Sequence, residues 1–130
     1  MVIGKMYAKL YVWITTTLLS GIALLWTSAV LAQAFPEDMQ PGAGAVLSEA
    51  PKQVRIRFDS RVEQEFSVIV VKDANGERIS GRTIIDPVSR KTLEVSLPTL
   101  EPGEYHVYWN VVSWDGDRTK GDYVFHVGPH

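Results

Sequence analysis

In QVRIRFD, residues 53–59, every second side chain is apolar: Val54, Ile56 and Phe58 alternate with Gln53, Arg55, Arg57 and Asp59. A period of two sends successive side chains to opposite faces of an extended strand, so one face of this segment meets an apolar core and the other meets water. The same period recurs in GEYHVYWNVVS, where Tyr105, Val107, Trp109 and Val111 share a face, and in GDYVFHV, where Tyr123, Phe125 and Val127 do. FSVIVVK is more continuously apolar and reads as a deeper strand, while RTIID and KTLEVSL add two more around Asp86-Pro87. Asn75-Gly76 tolerates positive φ at both central turn positions, which predicts a tight hairpin after FSVIVVK. Pro41, Pro51, Pro98 and Pro102 fall between these segments, where a missing N–H costs no ladder bond. No helical period is evident past Phe35. Short strands separated by turn signals predict an all-β fold, an immunoglobulin-like Greek-key antiparallel β-sandwich of about seven strands. Its core is expected to contain Val54, Ile56, Phe58, Val107, Trp109, Phe125 and Val127.

The segment before the sandwich is of another kind. Residues 1–9 carry Lys5 and Lys9 and no acid, residues 10–34 carry no charge at all, and small residues close the run. A basic start, an apolar stretch and a small-residue end describe a secretory signal peptide. Cleavage fits after Ala32, with Val30 two residues earlier, or after Ala34, with Ala32 two earlier. The chain is thus expected to divide into a signal peptide, 1–32, and a β-sandwich domain, 33–130. The competing reading is an uncleaved anchor, since residues 10–34 are long enough to cross a bilayer with some tilt. Thr15 to Thr17, Ser20 and Gly21 dilute the apolar run and favour cleavage. Either way the remaining domain is expected outside the cytoplasm.

Without the two leader lysines, 11 of the 13 basic residues stand against all 15 acidic ones, a formal charge of −4. That balance argues against a nucleic-acid partner. The chain has no cysteine, which removes disulfides, thiol redox chemistry and thiolate metal ligands. No phosphate-cradling glycine loop, HExxH or nucleophile motif is present, so neither catalysis nor a small-molecule substrate is expected, and a monomer is.

The order of the motifs resembles the periplasmic copper resistance protein CopC family. Pro-x-x-Gly-x-x-Leu at Pro41, Gly44 and Leu47 comes first. Ala50-Pro51 then precedes a strand ending in Phe58, Pro-Gly-x-Tyr spans Pro102 to Tyr105, and Trp-x-Val-Val-Ser-x-Asp-Gly spans Trp109 to Gly116. The similarity runs from about Gln33 to Val127. It implies a copper-binding Greek-key sandwich in the periplasm, serving copper resistance or homeostasis, often beside a CopD-like inner-membrane protein. The family pattern places one His at the mature N-terminus and another two residues after the loop Asp. With a cut after Ala32 the matching positions are Gln33, Asp115 and Asp117, so Asp115 is kept while Gln33 and Asp117 stand where imidazoles belong. A further family carboxylate falls on Ser60; Asp59, one residue off, is expected on the other face.

Divalent copper favours tetragonal nitrogen and oxygen ligation. An amide and an extra carboxylate in place of two imidazoles harden the site, and an N-terminal Gln is prone to cyclise, which blocks the amine. Apart from Met1 and Met6 in the leader, only Met39 is available for reduced copper. Three readings of the domain therefore stay open: a copper binder with weakened affinity, an immunoglobulin-like adaptor that has lost the copper site, and a binder of another divalent ion through Asp115 and Asp117. Asp115, Asp117 and Asp122 are read together in one short loop, where Asp-Gly is also ordinary turn chemistry. His106 and His126 are expected to face outward on neighbouring strands. Trp114, beside the loop, is read as a packing residue, with a lid over a site as the alternative.

Overall fold

The computed structural model describes residues 33–129. The signal peptide or anchor of residues 1–32, and His130, lie outside the described residues. Eight strands follow in order: β1 (Pro36–Gln40), β2 (Val46–Leu47), β3 (Gln53–Phe58), β4 (Val68–Lys72), β5 (Ile84–Ile85), β6 (Thr92–Ser96), β7 (Gly103–Val112) and β8 (Arg118–Val127). They form two four-stranded sheets, ordered β1-β3-β6-β5 and β2-β8-β7-β4. Every pairing is antiparallel except that of β2 with β8. One 3₁₀ turn, Gln64–Phe66, interrupts the crossover from β3 to β4. Among the described residues no helix is long and apolar enough to cross a membrane.

The alternation read from β3 appears in its burial: Val54, Ile56 and Phe58 are fully buried, and their neighbours are exposed. Val107, Trp109, Phe125 and Val127 join them in a single core that, among the described residues, is drawn from residues 34–127. Each such side chain contributes about 1.5–3 kcal/mol on leaving water. The edge of the Trp109 ring meets Phe58, centroids 5.7 Å apart, and the indole lies against Gly121 on the paired strand. A Cβ at Gly121 would stand 2.5 Å from that ring, so only glycine fits there. Farther along the same strand pair, Tyr105 stacks on Phe125 and its hydroxyl donates to the carbonyl of Glu101 at 2.6 Å. Tyr123 is also buried, but its hydroxyl finds no partner among the described residues.

Strands β1 and β2 are not signalled by any period. PEDMQ has no apolar alternation, and it is a strand because its backbone pairs along the edge of β3. Nor does the turn after β4 take the expected form. Only Gly76 has positive φ (80°); Asn75 does not, and the Asp73 carboxylate instead accepts from the N–H groups of Asn75 (3.0 Å) and Glu77 (2.9 Å). The returning segment, 79–83, meets the outer edge of β4 partly through side chains. Ser80 Oγ accepts from Val71 N–H at 2.9 Å, and Thr83 Oγ1 accepts from Ile69 N–H at 3.1 Å.

Candidate metal site

Three segments meet at one end of the sandwich. The N-terminal segment is tied to the end of β3, because Phe35 N–H donates to Asp59 Oδ1 at 2.8 Å and Asp59 N–H donates to the Phe35 carbonyl at 2.9 Å. It is tied to the start of β8 by Thr119, whose hydroxyl donates to the buried Ala34 carbonyl at 2.5 Å. The crossover after β3 is tied in turn to the β7–β8 loop: Trp114 N–H donates to the Arg61 carbonyl at 3.0 Å, and Val62 bridges Ser113. Gln33, exposed, thus precedes a residue fixed beside the loop that carries Asp115 and Asp117. The N-terminal segment and the loop, far apart in sequence, are brought to one end of the fold.

The loop holds its own shape. Ser113 N–H donates to the Asp117 carbonyl at 2.8 Å, Gly116 N–H donates to the Ser113 carbonyl at 2.9 Å, and Gly116 takes a φ of 94° that an L side chain would resist. The fully buried Ser113 makes a short hydrogen bond from its hydroxyl to Asp115 Oδ1. One oxygen of the family-matching carboxylate is therefore engaged by the protein itself. Asp117 is half-buried and its side chain takes no hydrogen bond or ion pair among the described residues, while Asp59 serves the Phe35 N–H. Ser60 offers only a hydroxyl, 3.5 Å from the Arg61 carbonyl. Among the described residues no three His, Asp or Glu side chains are gathered as a metal would need. Gln33, Asp115 and Asp117 thus share an end of the molecule without forming a donor set suited to copper, which favours imidazole and amine nitrogen.

Two expectations about neighbouring residues are corrected. Asp122 is not in the loop: it lies within β8 on the outer face, opposite Tyr108, and pairs with His106 at 2.6 Å. The β7–β8 turn is tighter than its three carboxylates suggest, because β8 begins already at Arg118. Trp114 is not packed in the core but 55% exposed, with the Arg61 guanidinium 5.3 Å from its ring centre. His106 and His126 do face outward, and each pairs with a carboxylate: His106 with Asp122, and His126 with Glu104 at 3.4 Å. Sequence reasoning missed Ser113 as a partner of Asp115, and for Asp59 it gave only a face, not the bond it accepts from Phe35 N–H. Ser113 fits the inward register of β7 two residues past Val111, a signal present in the alternation itself.

Comparison with known proteins places this architecture. The CopC domain family matches residues 37–128. Protein YobA of Escherichia coli K12 is 37% identical over 117 residues, spanning 82% of this chain and 91% of that protein. The copper transport protein CutJ of Bacillus subtilis is 34% identical over 99 residues, 75% of this chain but only 18% of CutJ. Among solved structures, CopC from Methylosinus trichosporium OB3b superposes with a TM-score of 0.72 at 32% identity, covering 75% of this chain and 96% of that one. PcoC, a methionine-rich copper resistance protein from Escherichia coli, shares the fold with a TM-score of 0.66 at 20% identity, over 74% of this chain and 99% of that one.

Proposed function

The chain belongs to the CopC family, and from that membership we propose that it is a periplasmic copper-binding protein of copper resistance or homeostasis whose affinity for the ion is weakened by its own ligand set. It acts by binding rather than by catalysis, beside a CopD-like inner-membrane protein. The observation that carries this reading is the stitching of Ala34 and Phe35 to Thr119 and Asp59, which sets the segment after Gln33 beside the Asp115 loop. On this reading the copper site belongs at this end of the fold. Its nitrogen donors are what have changed, and amide and carboxylate oxygens suit the divalent ion less well than imidazole.

A second reading is favoured by one contact. Because Ser113 occupies an oxygen of Asp115, the loop keeps its shape without an ion. An adaptor that retained the sandwich and the membrane partner while losing the metal would look the same. Copper titration followed by electron paramagnetic resonance on residues 33–130 separates the two, comparing wild type with the double variant Gln33→His and Asp117→His. Weak binding by wild type and a tight, nitrogen-rich signal from the variant are expected. Tight nitrogen-rich binding by wild type would sink the weakened-site reading and point to His106 and His126. No gain in the variant would favour the adaptor.

A further inference from the structure

Eight large apolar side chains are exposed among the described residues, and four of them belong to segments of the loop end: Phe35 at 49%, Phe66 at 59%, Val88 at 90% and Trp114 at 55%. Hydrogen bonds hold their segments together. Phe35 is tied to Asp59, Trp114 to Arg61, and Phe66 lies between Glu63 and Ser67, both bonded to Val112. The Val88 loop joins them where Val62 N–H donates to the Arg90 carbonyl at 2.9 Å. Exposed aromatic groups on adjoining segments mark an interaction surface, and Trp and Arg are among the residues most enriched where binding energy concentrates.

Charge decides the occupant. Segments 59–67, 86–91 and 113–118 carry six carboxylates against four cations. Most charges of both signs are engaged: Arg90 lies 4.0 Å from Glu63, Arg118 donates to Asn110 at 2.5 Å, Arg61 covers Trp114, and Asp59, Asp86 and Asp115 accept hydrogen bonds. Asp117 and Glu65 have no such partner among the described residues. An anionic lipid surface would be repelled by this balance. We infer that this end docks against a protein surface offering an apolar cleft edged with lysine or arginine, and that Trp114 and Phe66 enter the cleft. The inference rests on the membrane partner proposed above and names the face that meets it.

The test places a photo-crosslinking amino acid at Trp114, Phe66, Tyr108 or Val46 of the full chain, in cells that make the CopD-like membrane protein. Products with that protein are expected from positions 114 and 66, and not from 108 or 46, which lie outside the loop end. The double variant Asp117→Lys and Glu65→Lys should lower the yield roughly tenfold by removing the attraction. Its melting temperature should stay unchanged, because neither carboxylate is bonded. Crosslinks from 108 or 46 alone would overturn the docking face while leaving the partner in place. No crosslink to the membrane protein from any of the four positions would overturn the partner reading and the inference with it. Products joining two copies of the chain, or the chain and lipid, from 114 and 66 would replace the proposed occupant.

Discussion

The two ends of the sandwich spend their polar groups differently. At the end formed by the turn after β4 and the approach to β7, side chains are consumed in local closure. Asp73 takes two backbone N–H groups and the Tyr105 hydroxyl takes the Glu101 carbonyl, so the carboxylate and the phenol there have structural work. At the loop end Asp117 is untied and Trp114 and Phe66 stand in solvent. Backbone bonds together with the side chains of Asp59, Ser113 and Thr119 hold that end, and among the described residues they leave Asp117, Trp114 and Phe66 outside the closure. A side chain that the fold does not need can be changed for function, and this is the end to which the proposed function assigns Gln33 and Asp117.

The largest effect expected is at the floor of the loop end. Trp109→Ala removes the ring packed on Phe58 and Gly121 and should cost about 3–5 kcal/mol in urea unfolding. A loss below about 1 kcal/mol would mean that the loop end does not stand on this packing. Gly121→Ala attacks the same contact from the other strand, pushing a methyl group into the indole, and should cost roughly 1–3 kcal/mol. Were it neutral, the indole would have room to shift and the two ends would share a looser core.

Tyr123 sharpens the contrast with Tyr105. Burial pushes the Tyr123 phenol well above its ordinary value, while its hydroxyl has no partner among the described residues. The unfolded chain loses that proton near pH 10, whereas the folded chain keeps it. Stability from this group is therefore full below about pH 10 and falls as pH rises beyond it. Tyr123→Phe should remove that part of the alkaline loss, visible in melting curves from pH 8 to 11, and should gain about 1 kcal/mol at neutral pH by deleting an orphaned hydroxyl. A loss at neutral pH would show that the hydroxyl does have a partner.

The smallest effects compare the ends directly. Asp73→Ala should cost about 1 kcal/mol or more, because two N–H groups lose their acceptor. Asp117→Ala should stay within about 0.5 kcal/mol. Equal costs, measured by the same denaturant titration, would erase the distinction between a closed end and an available one.

The strands that bury side chains were legible in the sequence because burial imposes the period of two: Val54, Ile56 and Phe58, and equally Val107 and Trp109, lie where the alternation puts them. Strand β1 was not, since Pro36–Gln40 is a strand through backbone pairing, which leaves little trace in side-chain type. The turn at Asn75-Gly76 was half legible. The glycine requirement showed, but the choice made by the Asp73 carboxylate depends on geometry after the strands have met. Trp114 was misread because an aromatic residue beside a strand suggests packing, and only tertiary placement decides which side of the boundary it occupies. At the candidate site the positions of Gln33, Asp115 and Asp117 came from the family pattern; that Ser113 had already engaged Asp115 could be learned only from the fold.

Strand β4 borders its sheet, and such a border recruits neighbouring molecules when its N–H groups lie open. Here Ile69 and Val71 give theirs to Thr83 and Ser80, and Ile79 N–H returns a backbone bond to the Val71 carbonyl at 2.9 Å, so segment 79–83 works as a latch across the border of β4. Thr83 is buried and Ile79 of the same segment packs against the core, so losing the Thr83 hydroxyl would strand a buried Ile69 N–H. Edge protection and fold stability are thereby coupled in this molecule: a change that removes the Thr83 hydroxyl should lower the melting temperature and also shorten the time the protein survives in concentrated solution.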